Sequence, residues 1–286
     1  MKIRNVIVVG AGIGGLTAAI AFARRGVAVT VLEQAPAIRE VGAGLQVSPN
    51  GLFVLRALGL EKRLLERGAV RGKAVVMRAH DGADELVRLD LSLLPSNQRY
   101  LFMHRADLID VLARAARENN VSFEMGTQVQ DVHAGVTPTL TLTDGSTRRA
   151  ELIVGADGLQ SRARVALNGD DDPFFTGQVA WRATVPNTVD HEDVAMVTMG
   201  PGRHLVSYPL RNGTLVNLVA VEERKSWAAE GWNHPDDPAH LRAAFAGWDG
   251  MAGTLINAVK APTLWGLHRH PVAPVWHAGG VALLGD

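Results

Sequence analysis

The chain has 286 residues, 47% of them hydrophobic and 20% charged, with Lys+Arg and Asp+Glu balanced at 29 each. That is long enough to bury a large core as one large or two ordinary domains, and the balanced charge argues against nucleic acid or an anionic membrane as a partner. With no cysteine, disulfides, thiolate metal sites and a thiol nucleophile are excluded, which fits a reducing, cytoplasmic compartment.

The first element is an apolar run, Val6 to Val9, that meets Gly10-Ala11-Gly12-Ile13-Gly14-Gly15. Leu16, Ala19, Ile20 and Ala23 then recur at helical spacing, Gly26 closes the helix, and Ala28 to Leu32 form a second strand ending at Glu33. This is a nucleotide-binding βαβ unit. Gly10 permits the tight turn, Gly12 lets a pyrophosphate approach the backbone, and Gly15 brings helix and strand together. The phosphates face free N–H groups at the helix N-terminus, and Glu33, about 20 residues on, suits a ribose hydroxyl. The unit alone leaves NAD and FAD open. Lys2 and Arg4 before the apolar run imitate a signal peptide, but the glycines within it make that reading poor.

Gln34 to Val47, with Arg39, Glu40, Gly42 and Gly44, reads as a loop near the nucleotide. Ser48-Pro49-Asn50 opens a short helix stopped by Gly59, and a second helix runs to Gly68. Val70 to Leu91 reads as strands broken at Asp81-Gly82, and Tyr100 to Asn119 as a helix entered at Arg105 and Asp107. Strands follow at Val121 to Phe123 and Thr127 to Val132, and Thr139 to Thr143 pairs with Thr147 to Ala150 across Asp144-Gly145. A buried strand, Leu152 to Val154, runs into Gly155-Ala156-Asp157-Gly158 and a helix from Ser161. Beyond Asn168, strands near Val179 to Val185, Val194 to Thr198, His204 to Leu210 and Leu215 to Val221 indicate a mostly antiparallel second region. Helices near Pro238 to Trp248 and Thr254 to Val259 precede a last buried strand, Val281 to Leu284, ending on Gly285-Asp286. The histidines His268, His270 and His277 form no metal-ligand pattern.

Four motifs thus lie in order: the glycine unit, Met103-His104-Arg105-Ala106-Asp107-Leu108, Gly155-Ala156-Asp157-Gly158 with Arg162, and Leu284-Gly285-Asp286. Together with Gly177 to Arg182 and His204 to Pro209, they resemble the single-component FAD-dependent aromatic hydroxylases, the group that includes salicylate, 3-hydroxybenzoate and 6-hydroxynicotinate monooxygenases. The resemblance implies an α/β fold of the glutathione-reductase type. A Rossmann-like FAD-binding domain (1–69, 100–168 and 278–286) is interleaved with a mostly antiparallel substrate domain (70–99 and 169–277). It implies FAD as cofactor, NADH or NADPH as co-substrate, a small aromatic substrate and O2, and it is compatible with a homodimer. Relatives continue past Gly-Asp for on the order of 100 residues, a domain-sized piece, so by this resemblance the chain looks like a partial copy.

The resemblance assigns Gly10, Gly12, Gly15, Glu33, Gln46, Arg105, Asp157, Gly158, Arg162, Gly285 and Asp286 to the cofactor. His204 and Tyr208 match a pair that faces the substrate in some members, and on a strand their even spacing puts both on one face. The implied reaction reduces FAD, forms a flavin C4a-hydroperoxide, and hydroxylates a phenolic or N-heteroaromatic acid. A phenol titrates near pKa ~10 and an imidazole near ~6.5, so His204 is the candidate base. Tyr208 would bind a substrate hydroxyl or carboxylate. The competing readings are an NAD-dependent dehydrogenase built on the same unit and a non-catalytic flavin- or ligand-binding protein.

Overall fold

The structure is a computed structural model, and it describes residues 3–38, 43–81, 85–170, 172–227 and 233–285. The chain divides into two compact units, one of residues 1–40, 108–174 and 269–286, the other of residues 41–107 and 175–268.

The first unit is built on a six-stranded sheet ordered His277–Ala278, Val281–Leu283, Leu152–Gly155, Asn5–Val9, Ala28–Glu33, Ser122–Met125. Neighbouring strands are parallel except the His277–Ala278 edge. Val6, Ile7, Val8 and Val9 are all buried, as expected of a central parallel strand covered on both faces. Helix Ile13–Ala23 buries Leu16, Ala19 and Ile20. A three-stranded antiparallel sheet, Thr147–Arg149, Thr139–Leu142 and Val129–His133, adds Leu140, Leu142, Val129 and Val132 to the core.

The second unit is an eight-stranded sheet: Asn233–Pro235, Thr263–Arg269, Phe174–Pro186, Leu215–Glu223, Arg203–Leu210, Val194–Gly200, Ala74–Ala79 and Glu85–Asp90. Pairing is antiparallel between Asn233–Pro235 and Thr263–Arg269, from Phe174–Pro186 through to Val194–Gly200, and between Ala74–Ala79 and Glu85–Asp90, while Val194–Gly200 runs parallel to Ala74–Ala79. One face packs Trp181, Leu205, Leu218 and Ala220 against Leu241, Phe245, Trp248, Leu255 and Ile256. The last five come from helices Pro238–Ala244 and Gly250–Ala258 and the turn joining them. Trp181 is 1% exposed, and its indole N–H donates to Asp236 Oδ2 at 2.6 Å, while Asp236 Oδ1 faces His240 Nδ1 at 2.8 Å.

Most elements stand where the sequence puts them; strands Asn233–Pro235, Thr263–Arg269 and His277–Ala278 are additional to that reading, and three further segments differ. Leu101–His104 is a strand, not the first turn of the Arg105–Glu118 helix. Gly44–Val47, read as loop, is its antiparallel partner, and Val70–Arg71 flanks it on the other side. Both short runs are too brief for a period-2 signal, and pairing across more than fifty residues is invisible to local pattern. The later helix begins at Gly250, not Thr254.

Replacing Asp236 with Ala leaves the buried Trp181 N–H without an acceptor. We expect a loss of about 1–3 kcal/mol in urea unfolding, with the folded far-UV spectrum unchanged.

Candidate cofactor and substrate sites

In the first unit, a Cβ on Gly10 would meet the carbonyl oxygen of Ala156 at 2.3 Å, and one on Gly15 would meet the carbonyl oxygen of Gly10 at 2.0 Å. Backbone cannot yield to such contacts, so both positions exclude any side chain. Gly12 differs: a Cβ there meets nothing within 4 Å, and its backbone is extended, with φ −72 and ψ −177. Gly12 is the N-cap of the Ile13–Ala23 helix, so no side chain caps the first N–H groups of the helix, and the space beside Gly12 is open. That is what a pyrophosphate requires.

Beside it lies a cavity of about 150 Å³ lined by Ala11, Gly12, Glu33, Ala35, Ala37, Ile38 and Ile109. Glu33 Oε2 accepts from Ala11 N at 2.8 Å and Oε1 accepts from Ala35 N at 2.9 Å. Each oxygen keeps a lone pair for a hydroxyl donor. The residues of this unit therefore fit the ADP portion of a dinucleotide.

Asp157 serves its own helix. Its carboxylate accepts from Ser161 Oγ at 2.6 Å and from the backbone N–H of Arg162 at 2.7 Å and Ala163 at 3.3 Å, capping helix Arg162–Asn168. Gly158 has φ +74, and the Arg162 side chain is exposed. Gly285 has φ +85 and is exposed. Asp286 lies outside the described residues, as do Arg39, Glu40 and Gly42 of the expected loop.

The second unit carries the remaining candidates. Arg105 opens its helix with its N–H on Ala43 O at 3.0 Å. Asp107 accepts from Arg211 at 2.9 and 3.0 Å. Gln46 is half-buried and its Oε1 accepts from the Tyr100 hydroxyl at 2.9 Å.

His204 and Tyr208 share a sheet face, opposite Val221 and Asn217 of the neighbouring strand, but their surroundings differ. Tyr208 is 2% exposed. Its ring packs 5.2 Å from that of Phe102, under Gly44, where a Cβ would meet the Tyr208 ring at 2.7 Å. Burial pushes its hydroxyl pKa far up, so it remains a proton donor. His204 is half-buried and lines a cavity of about 390 Å³ with Gln178, Val197, Met199, Arg203 and Val221. Tyr208 is not among that cavity's lining residues. Burial lowers the His204 pKa, leaving a neutral imidazole able to accept a proton at pH 7.

The profile of the family described as FAD binding domain matches residues 4–286. The 3-amino-4-hydroxybenzoate 2-monooxygenase PtmB3 of Streptomyces platensis is 35% identical over 292 residues, covering 99% of this chain and 72% of that protein. The chain belongs to the FAD-binding family of flavoprotein aromatic hydroxylases. Within it, the 6-hydroxynicotinate 3-monooxygenase of Bordetella bronchiseptica is 32% identical, with 99% and 75% of the two chains covered. Among solved structures, Klebsiella pneumoniae HpxO complexed with FAD and uric acid superposes on this hydroxylase-family chain with a TM-score of 0.86 at 26% identity. That match covers 98% of this chain and 72% of that one. The α/β class with parallel and antiparallel sheets is the one the sequence indicated. Among the described residues, no helix is long and apolar enough to cross a membrane and no group of side chains could hold a metal ion.

Replacing Gly12 with Ala should leave stability unchanged, since the new methyl meets open space, yet weaken FAD binding by at least about tenfold, 1.4 kcal/mol. Urea unfolding and flavin titration separate the two effects. Burial also lowers the pKa values of His104 and His191, so with His204 three imidazoles stay neutral in the fold but take protons when unfolded near pH ~6.5. The unfolded state then binds more protons, and stability falls as pH drops through that value. His240, raised by Asp236, acts in the opposite sense. Unfolding at pH 7.5 and 5.5 should show lower stability at 5.5, with a smaller difference in His204→Asn.

Proposed function

We propose that the protein is a FAD-dependent monooxygenase that uses NADH or NADPH and O2 to hydroxylate a small phenolic or N-heteroaromatic acid. The observation that carries this reading is the open helix N-terminus at Gly12 beside the doubly held carboxylate of Glu33, in a chain whose relatives are named as hydroxylases of such acids. Gly10, Gly12, Gly15 and Glu33 would hold the ADP half of FAD. Gln46, Arg105, Asp157, Gly158, Arg162, Gly285 and Asp286 are the further cofactor residues the family resemblance supplies. The domain division proposed with this reading gives the nucleotide to the parallel sheet and the aromatic substrate to the antiparallel one.

Bound FAD supplies the redox chemistry, carrying electrons from the nicotinamide to dioxygen. The chain's part is to hold and polarise the substrate. A phenol is more nucleophilic at carbon once deprotonated, and His204, neutral and half-exposed on an apolar face, would take that proton on a ring nitrogen. Tyr208 keeps its own proton and would serve as a donor and as packing beneath the site.

A flavin spectrum followed by NADH oxidation against a panel of hydroxybenzoates and hydroxypyridines tests the reading. We expect at least one acid to stimulate oxidation and to yield a hydroxylated product; no stimulation by any aromatic would sink it. His204→Asn should retain FAD while slowing hydroxylation by about 100-fold or more, whereas parallel loss of both would make His204 structural.

A further inference from the structure

A guanidinium taken out of water is normally met by a carboxylate, because the desolvation cost of several kcal/mol is otherwise unreturned. Arg182 has no such partner among the described residues. Its Nε is buried with no hydrogen-bond acceptor, and its guanidinium is fixed over the Trp265 ring at 5.0 Å. Burial lowers its pKa, the Tyr208 phenol works against that shift, and the charge of Arg105 adds to it. Arginine nevertheless stays protonated, so two cations influence one region and no described carboxylate is paired with Arg182.

The sheet register says what surrounds this charge. Arg182 stands opposite Val219, Val219 opposite Val206, and Val206 opposite Val197. The three valines are half-buried, a partly open apolar floor. His204 precedes Val206 by two positions on one strand and so lies on the same face. Two strand spacings across and two residues along put the Arg182 and His204 backbones about 12 Å apart. A cation thus stands at one edge of an apolar floor and a neutral imidazole at the other. Arg182 also lines a cavity of about 580 Å³ with Thr184, Val185, Thr188, Lys260 and Thr263, and no acidic side chain lines it; the separate cavity at His204 is lined by Glu223 as well as Arg203. At the Arg182 end the surroundings favour a negative ligand.

We propose that Arg182 is the residue that selects an anionic substrate, taking the carboxylate of an aromatic acid whose ring lies on the Val206–Val219 floor with its hydroxyl toward His204. The assignment rests on the hydroxylase reading above and adds a specificity determinant to it. A planar guanidinium pairs with a carboxylate through two parallel N–H···O bonds, and Trp265 stacking holds the fork in place without consuming its donors. Lys at this position would keep the charge but lose the fork.

The test uses the FAD-loaded full chain and two probes of nearly equal shape, salicylate and its neutral amide, salicylamide, titrated by flavin absorbance changes. The wild type should bind salicylate the more tightly. Arg182→Gln should raise the salicylate dissociation constant on the order of 100-fold and change that of salicylamide less than about threefold, while Arg182→Lys falls between. Should Arg182→Gln lose its flavin, Arg182→Lys gives the comparison, with salicylate weakened at least about tenfold and salicylamide spared. With an acid that turns over, KM should rise far more than kcat falls. Equal weakening of acid and amide, or a wild type that does not prefer the acid, overturns the proposal. These binding constants are read without turnover, so an absent hydroxylation product bears on the hydroxylase reading alone.

Discussion

The first unit depends on one steric constraint, the contact of backbone with backbone where the first strand turns into the first helix. Gly10 lies against the Ala156 carbonyl and Gly15 against that of Gly10, at distances no side chain permits. This draws the Leu152–Gly155 strand, the Asn5–Val9 strand and the Ile13–Ala23 helix to a single point. The helix therefore starts at the carboxyl end of the parallel sheet, where ligands of such sheets bind. The same contact frees Gly12, since the turn is already fixed on either side of it.

In the second unit the organising contrast is between the two faces of one sheet. The face bearing Trp181, Leu205 and Leu218 is closed by helices, so its residues are spent on stability. The other bears Tyr208, Val206, His204 and Arg182 and is closed in part by Phe102 and Gly44. Tyr208 lies under that cover and His204 beyond it, which is why two residues four positions apart on one face have different chemistry. Burial sets both: it keeps the proton on the phenol and off the imidazole.

Much of this was legible in the sequence wherever a long periodic segment or an ordered motif carried it. The βαβ unit, the Glu33 carboxylate and the strand holding His204 fall in that class. The Gly44–Val47 and Leu101–His104 pair was not legible, because four-residue strands give little pattern and their partners lie far apart in sequence. Nor was the Arg211 partner of Asp107, 104 residues away. Arg182 was visible only as the end of a motif. What distinguishes it, a buried nitrogen without a partner, exists only once the strands are in register.

The two hydrogen bonds to Glu33 have a further consequence. A carboxylate free to rotate would have to be ordered each time a nucleotide arrived, and the entropy lost would be subtracted from affinity. Here the backbone N–H groups of Ala11 and Ala35 hold both oxygens. The ordering is completed during folding, and a cofactor meets an acid already set in its working orientation.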